Sequence, residues 1–275
     1  MKMSLNCCWQ PPNHELDADY PQQVVIWIDR LPMSPIPDGE KRIVVMWEPL
    51  GLSVDKVMNN QDKYDYVFTY RREVLDNNPK AIFFLGVTVF VRHPRQYRED
   101  FCVSTVIGHK RNSSLTGYDM RHELWFKRDN INMDKRFYIS GEHRLATPRI
   151  KTTFGIIDAT NELRLGAEKD IVFDCMFHIA IENISWHYWF TEKLLDCFMT
   201  HTVPIYIGAE GVNEFFNTDG IIMAGTVDEA ISICNRLTPD DYYLRKDAMD
   251  DNFQRSQEYL NYDKMLTDKV LEALQ

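Results

Sequence analysis

The residues best suited to chemistry stand at the start of a predicted helix. Thr191, Glu192 and Lys193 precede the apolar run LLDCFM, and Pro204 follows that run. Thr191 is a typical N-cap residue, and an acidic residue in the first turn agrees with the helix dipole. Lys193 opposes that dipole, so its position needs a reason. A bound phosphate would supply one, because free N–H groups and an ammonium group would converge on it. A solvated surface lysine is the alternative.

Polar and aromatic residues come just before this helix. Glu182 and Asn183 follow the apolar stretch 177–181, which is typical of a buried strand. Ligands of open α/β sheets bind at the carboxyl ends of strands, so Asn183 is a candidate binding residue. Capping of the loop is the alternative role for both residues. The aromatic run from Trp186 to Trp189 predicts either a platform for a base or sugar or a small satellite core.

The apolar pattern predicts the elements that must position these residues. Short β-branched and aromatic runs, separated by Pro- and Asp-rich turns, predict strands at MSLNCCW and at 24–29, 42–49, 64–72 and 80–91. A short helix, LSVDKVMNNQD, falls between the third and fourth of these. Alternation of strands and helices favours an α/β layer with a mainly parallel sheet.

The rest of the chain repeats this alternation. Strands are predicted at FCVSTVIG, KRFYISG and GIIMAG, and helices at GYDMRHELWFKRD and VDEAISICNRL. Thr238 and Pro239 predict a further helix start, and the final stretch is predicted to be helical with a break near Asn261. The polar segment 92–100, which contains Pro94, marks a domain boundary. We therefore expect two domains, residues 1–95 and residues 96–275, the second ending in a C-terminal helix.

Composition limits the possible partners and the compartment. The net charge of -10 argues against a nucleic-acid-binding protein, so any anionic ligand must meet local cations. The six cysteines form no CxxC pair, which favours reduced thiols in a cytosolic protein. The N-terminus lacks a signal-peptide pattern, and no apolar run is long enough to cross a bilayer. We expect a cytoplasmic protein without a transmembrane segment.

Together, these motifs resemble those of the alpha-1,3/1,4-fucosyltransferase family. The series E-N, T-E-K-L and V-P-I-Y-I-G, which starts at Glu182, resembles the family's signature. Further matches lie before this series along the chain and in the order that the family has, at MWEP, DYVFTYRRE and FCVSTV…MRHELWFKR. The resemblance therefore spans about residues 42–237. Two positions depart from the family pattern, because Trp189 stands in place of a tyrosine and Ile181 in place of a phenylalanine.

The resemblance implies a GT-B fold, an α/β architecture of two Rossmann-like domains facing a central cleft. Residues 1–95 would bind the acceptor, and residues 96–275 would bind the nucleotide-sugar donor. The resemblance also implies that Glu48 is the general base and that Arg121 and Lys193 neutralise the donor diphosphate. Donor binding is further expected at Asn183, Trp189 and Glu192.

The function that follows is that of an inverting, metal-independent glycosyltransferase. A carboxylate such as Glu48 would take the proton of an acceptor hydroxyl as it attacks an oxocarbenium-like centre, while cations stabilise the departing diphosphate. GDP-fucose is the expected donor, a UDP-sugar such as UDP-xylose is the alternative, and a glycan hydroxyl is the acceptor. No metal or other cofactor is expected.

A second hypothesis is a non-catalytic glycan- or nucleotide-binding protein, because the first domain is short. The acceptor side of that domain would be open, or it would be completed by the C-terminal helix or by another subunit of a homo-oligomer. Two further motifs carry less weight. Asp17-Ala18-Asp19 matches the D-x-D of metal-dependent transferases but follows PPNHEL, so we interpret it as an acidic loop. Glu73, beside Arg71 and Arg72, is a weaker alternative to Glu48 as the base.

Overall fold

A computed structural model describes residues 2–7, 14–17, 24–31, 40–91, 93–94, 96–140, 149–160, 162–165 and 169–275. The chain divides into two compact units, one formed by Met1–Val87 with Asn261–Gln275 and the other by Thr88–Leu260. Each unit contains a six-stranded sheet. Within these described ranges, no helix has the length and apolar character that crossing a membrane requires.

The sheet of the first unit is parallel apart from one edge strand. Its parallel strands are β1 (Lys2–Cys7), β3 (Val24–Ile28), β4 (Lys41–Val45), β5 (Tyr66–Thr69) and β6 (Ala81–Phe83), in that order, and β2 (His14–Asp17) pairs antiparallel with β1. Every residue of β3 is buried. This burial explains the unbroken apolar run VVIWI, because parallel strands are covered on both faces.

Helices cover both faces of this sheet. The helices of the first unit are α1 (Leu52–Met58), α2 (Arg72–Asn77) and α8 (Tyr262–Ala273). Val54 and Val57 of α1 pack against one face, whereas Leu266 and Val270 of α8 are fully buried against the other. We placed the C-terminal helix within the second domain, residues 96–275, and considered it as one element that could complete the short first domain. Its apolar stripe packs on the first sheet, which agrees with the second of these expectations. An amphipathic pattern predicts a buried stripe without saying which sheet it covers.

The division between the units differs from the predicted boundary by a few residues. It falls after Val87, whereas the predicted boundary residue, Arg95, lies outside the described residues. The assignment of acceptor and donor binding to the two domains stays a prediction.

The sheet of the second unit reverses its strand order at β7 (Cys102–Ile107). On one side of β7 lie β8 (Asp134–Ile139) and β11 (Leu163–Arg164); on the other lie β12 (Phe177–Ile181), β13 (Val203–Ile207) and β14 (Ile222–Met223). All of these pairs are parallel. A separate hairpin is formed by β9 (Arg149–Lys151) and β10 (Ile156–Asp158). In open α/β sheets, such a reversal is where ligands bind.

In the described part of the second unit, five helices accompany this sheet, and several of their starts follow local sequence signals. They are α3 (Thr116–Lys127), α4 (Glu192–Met199), α5 (Val227–Cys234), α6 (Pro239–Tyr243) and α7 (Lys246–Ser256). Thr191 caps α4 by accepting a hydrogen bond from the Lys193 N–H, as predicted. A capping box between Thr238 and Asp241 starts α6, and Asn261 caps α8.

One prediction about the cysteines is wrong. Cys102 and Cys175 form a disulfide, although reduced thiols were expected. Cys102 begins β7 and Cys175 comes shortly before β12, the neighbouring strand, so their Cα atoms lie 5.1 Å apart despite a separation of 73 residues. Spacing along the chain does not reveal such a pair. Cys197 and Cys234 are free and buried, and the side chains of Cys7 and Cys8 lie outside the described part of the chain.

Candidate functional site

A pocket of about 310 Å³ lies in the second unit where the strand order reverses. Its walls include the segment that follows β7, the strand β12 and the first turn of α4. Among the described residues, four lysine or arginine side chains and two carboxyl groups line it. The cations are Lys110, Arg121, Lys169 and Lys193, and the carboxyl groups are those of Glu192 and Asp196. Because the whole chain has a net charge of -10, this local surplus of positive charge favours an anionic ligand.

Arg121 projects from α3 onto the carboxyl end of β12. Its side chain is only 7% exposed; Nη1 donates to the Ile181 carbonyl at 2.5 Å, and Nη2 donates to Asn183 Oδ1 at 2.7 Å. Burial lowers the pKa of Arg121, but a guanidinium group stays charged in proteins. The arginine therefore keeps its charge and holds Asn183 at the pocket wall.

A glycine makes this approach of α3 to β12 possible. The Gly117 N–H donates to the Asn183 carbonyl at 3.0 Å. A Cβ atom at Gly117 would lie 1.7 Å from the Glu182 carbonyl oxygen, so no other residue fits without moving the backbone. The G of the predicted helix GYDMRHELWFKRD thus brings Arg121 to the strand end.

Lys193 lies in the first turn of α4 with three polar partners. Its Nζ is 2.9 Å from Thr191 Oγ1, 3.2 Å from Glu192 Oε1 and 3.5 Å from Glu182 Oε2. Burial opposes its charge, but Glu192 and Glu182 outweigh burial and raise the pKa of Lys193. The ammonium group is therefore held in place at the helix start, unlike a solvated surface lysine.

Glu192 is ionised by its cationic neighbours. Burial would raise the pKa of this carboxyl, but Lys193 and Lys169 lower it to about 2. Lys169 Nζ lies 3.7 Å from Glu192 Oε1. Lys169 comes from the segment before the 3-10 turn Asp170–Phe173 and adds a cation that the motifs did not predict.

Glu182 has the structural role that we considered as its alternative. Its carboxylate is fully buried and accepts hydrogen bonds from the Thr191 N–H and the Thr191 hydroxyl, both at 2.8 Å. It thereby fixes the entrance of α4. Asn183, by contrast, lines the pocket and contacts Arg121.

Trp189 is the predicted donor-binding residue that the structure places elsewhere in the second unit. Its side chain is 4% exposed and does not belong to the described residues that line the pocket. The neighbouring Phe190 packs with Phe215, Phe216 and Tyr259, at ring-centroid distances between 5.2 and 5.7 Å. Burial of Trp189 beside this cluster agrees with the alternative interpretation, a satellite core, and stacking of Trp189 on a donor stays a prediction.

Glu48 belongs to the first unit, in the turn that follows β4. Asp29, at the end of β3, accepts hydrogen bonds from the N–H groups of Trp47 at 2.9 Å and Glu48 at 2.8 Å. The Arg71 guanidinium donates to the Pro49 carbonyl. The turn that carries Glu48 is therefore held from two neighbouring strand ends. The rival base, Glu73, is exposed and pairs with Arg71 at 3.1 Å.

Asp29 is a buried acid in an unusual backbone conformation. Its φ of 48° lies in the left-handed region, which is uncommon for a residue other than glycine and recurs at functional sites. Burial raises its pKa to about 6, although the two N–H groups oppose this shift. We did not predict Asp29, but it obeys the rule that singled out Asn183, because it is a polar residue at the carboxyl end of an apolar strand.

The structure thus brings together Arg121, Asn183, Glu192 and Lys193 in one pocket, and it places Glu48 in the other unit. Among the described residues, no group of three or more His, Cys, Asp or Glu side chains is arranged to hold a metal ion. Ala18 and Asp19 of the D-x-D motif lie outside those residues.

Solved structures match this chain, although no protein-family model and no curated protein does. An alpha1,3-fucosyltransferase with GDP-fucose superposes with a TM-score of 0.54 at 16% identity, covering 92% of this chain and 78% of that one. TarM superposes with a TM-score of 0.58 at 11% identity, and the match covers 91% of this chain and 54% of TarM. Anabaena HepE in complex with UDP-glucose superposes with a TM-score of 0.58 at 10% identity, and the match covers 86% of this chain and 72% of HepE.

These similarities concern the fold. The neighbours are glycosyltransferases, and the chain shares their GT-B type of architecture with two Rossmann-like domains, which confirms the predicted fold class.

Proposed function

We propose that this chain is a glycosyltransferase that takes its sugar from a nucleoside diphosphate. The cationic pocket carries the proposal, because it lies at the sheet position where nucleotides bind in Rossmann-like domains and offers more positive than negative side chains. The similar fucosyltransferase with GDP-fucose and HepE with UDP-glucose support a nucleotide-sugar as the ligand class.

In this proposal, Arg121 and Lys193 neutralise the diphosphate. Both cations are fixed before the ligand arrives, so they stabilise the charge that grows on the leaving group without further reorganisation. Asn183, oriented by Arg121, donates its amide group to the donor, and Glu192 accepts from a ribose or sugar hydroxyl. GDP-fucose is the leading donor, and UDP-xylose is the alternative.

Glu48 is the proposed general base of an inverting transfer. Its carboxylate would take the proton from a glycan hydroxyl as that oxygen attacks the anomeric carbon and the bond to the diphosphate breaks. Metal independence is part of the proposal, because the pocket cations would do the work of a divalent ion. Full activity in EDTA is therefore expected.

The disulfide bears on the cellular location of the protein. Cytoplasmic location was expected from reduced cysteines, but disulfides are rare in cytosolic proteins. The bond between Cys102 and Cys175 argues against that expectation.

Release of nucleoside diphosphate tests the proposal. The protein is incubated with GDP-fucose, UDP-xylose and UDP-glucose, each with a panel of glycan acceptors. We expect acceptor-dependent release from one donor and a loss of at least about 100-fold in kcat for Glu48→Gln, as for removal of a general base. Glu73→Gln is the matched control and should stay within about threefold of the wild type.

Three outcomes would contradict parts of the proposal. Absence of turnover with every donor and acceptor pair would reject the enzyme. Nucleotide binding without turnover would favour the non-catalytic binding protein. Unchanged turnover in Glu48→Gln, or an equal loss in Glu73→Gln, would remove Glu48 as the base.

A further inference from the structure

A buried histidine faces the pocket from the middle of β12. His178 and Ser104 of the adjacent β7 are both buried, with exposures of 4% and 0%. Ser104 Oγ lies 2.8 Å from His178 Nδ1. The side chains of Phe177, Ile179 and Ile181 belong to the main core, so His178 projects from the opposite face of the sheet. His178 lines the pocket, whereas Ser104 does not belong to the described residues that line it.

The hydrogen bond to Ser104 determines the tautomer of the imidazole. Across the described residues, Nδ1 of His178 is the only partner of the Ser104 hydroxyl. If Nδ1 carried the hydrogen, the buried hydroxyl would have no acceptor, at a cost of about 1–3 kcal/mol. Ser104 therefore donates to Nδ1. The ring hydrogen then resides on Nε2.

The imidazole is neutral in the folded protein. Burial, followed by the charge of Lys169, lowers the pKa of His178 to about 3. Phe173 packs against the imidazole at 4.9 Å between ring centroids. Nε2–H has no acceptor among the side chains and backbone groups that the structure describes. His178 consequently offers the pocket an uncharged, unpaired N–H donor.

A carboxyl group lines the same pocket. Asp196 of α4 accepts the N–H groups of Phe90 at 2.7 Å and Val91 at 3.0 Å through Oδ1. The Asp196 carboxyl group has an oxygen that accepts a hydrogen bond from a hydroxyl in either protonation state, and when ionised it repels a phosphate. A neutral donor together with a carboxyl acceptor complements a hydroxyl group, which both donates and accepts. The cations Arg121 and Lys193 complement the diphosphate instead.

We infer that His178 is a specificity residue of the donor pocket, whose Nε2–H donates a hydrogen bond to a hydroxyl of the ribose or the transferred sugar. The inference rests on the proposed function, since it takes a nucleotide-sugar as the ligand. Ser104 is a positioning residue in this arrangement, because it selects the tautomer that directs a hydrogen toward the ligand.

Calorimetric titration of the full chain with GDP, GDP-fucose, UDP and UDP-xylose tests the inference. His178→Phe removes the donor at similar volume, and His178→Gln retains a neutral donor. We expect His178→Phe to weaken binding about 3- to 10-fold, which corresponds to one hydrogen bond, and His178→Gln to stay within about twofold. A loss seen for the free diphosphates as well indicates a ribose hydroxyl, whereas a loss confined to the sugar nucleotides indicates the sugar.

The tautomer has a signature that packing alone would not give. Long-range ¹H–¹⁵N spectra should show a neutral His178 protonated at Nε2 in the wild type and a mixture of tautomers in Ser104→Ala. Ser104→Ala should also weaken binding about two- to threefold, which keeps the inference testable if His178→Phe fails to fold.

Protonation at Nδ1, or unchanged affinity in both His178→Phe and Ser104→Ala, would overturn the inference. A wild type that binds none of the four ligands would reject it together with the proposed function, whereas altered binding only in the Arg121 and Lys193 variants would reject it alone.

Discussion

At the scale of single residues, Asp29 links the first sheet to the proposed base. Its carboxylate binds the N–H groups of Trp47 and Glu48. We predict that Asp29→Ala lowers kcat by about 10- to 100-fold, because displacement of a catalytic group by about 1 Å has costs of this order. Nucleotide affinity should not change, because the cationic pocket belongs to the other unit.

Steady-state kinetics and calorimetry, measured on the same preparation, check this prediction. Asp29→Asn retains one acceptor oxygen and should have an intermediate kcat. A variant that loses nucleotide affinity in proportion to kcat would show that Asp29 acts through general destabilisation instead.

The polar residues of the site were only partly predictable from the sequence. Lys193 stood out because a lysine in the first turn of a helix opposes the helix dipole, and Asn183 because it follows an apolar strand. Lys169 and Asp196 carry no such local signal. Their place in the pocket depends on the packing of α4 and the turn Asp170–Phe173 on the sheet. The resemblance placed Trp189 at the donor; its side chain is buried and does not belong to the described residues that line the pocket, so this role stays a prediction.

At the scale of elements, α4 carries a buried acid that makes stability depend on pH. Burial raises the pKa of Asp196 to about 7, against the opposing hydrogen bonds from Phe90 and Val91. The folded state therefore keeps a proton that the unfolded chain loses near its ordinary pKa of about 4. Stability from this group falls as pH rises from about 4 to about 7 and then stays low.

We predict that, between about pH 5 and about pH 7.5, the free energy of unfolding of the wild type falls by about 2 kcal/mol relative to that of Asp196→Asn. Asparagine keeps an acceptor for the two N–H groups and does not titrate. Urea unfolding of both proteins at several pH values measures this difference. The pH-dependent contribution of Asp29 is present in both proteins and therefore cancels. Parallel stability curves would contradict the raised pKa of Asp196.

Element starts were more predictable than strand lengths. Capping is a local interaction, so helix starts can be recognised in the sequence. Two helices begin after the predicted caps Thr191 and Thr238, and the last helix begins after the predicted break at Asn261. The run 80–91 was predicted to be one strand, but only Ala81–Phe83 pairs in the sheet. Phe84, Leu85 and Val87 are buried without being in a strand. An apolar run reports burial, not the backbone hydrogen bonds that define a strand.

At the scale of the whole molecule, the disulfide is the long-range contact that escaped prediction. It joins Cys102, at the start of β7, to Cys175, which comes shortly before β12, whereas the return of the last helix to the first sheet was one of the alternatives. Closing a loop of this size restricts the unfolded chain, so reduction should lower the free energy of unfolding by about 2–4 kcal/mol.

Urea unfolding with and without dithiothreitol measures that effect. The double variant Cys102→Ser, Cys175→Ser should match the reduced wild type and show no further response to reductant. Cys234→Ser, which removes a free thiol, should keep the full response. An equal stability of oxidised and reduced wild type would contradict a structural disulfide.

Recognition of a diphosphate by the cationic pocket can be measured by calorimetric titration with GDP, GMP, UDP and UMP. One diphosphate should bind at a single site and at least about tenfold more tightly than its monophosphate, because a second phosphate adds charge-assisted hydrogen bonds. Lys193→Ala should remove most of this difference, whereas Lys127→Ala, a lysine paired with Glu123 and Asp228 outside the pocket lining, should preserve it. Equal affinity for diphosphate and monophosphate, or no binding of any of the four nucleotides, would show that the pocket does not recognise a diphosphate.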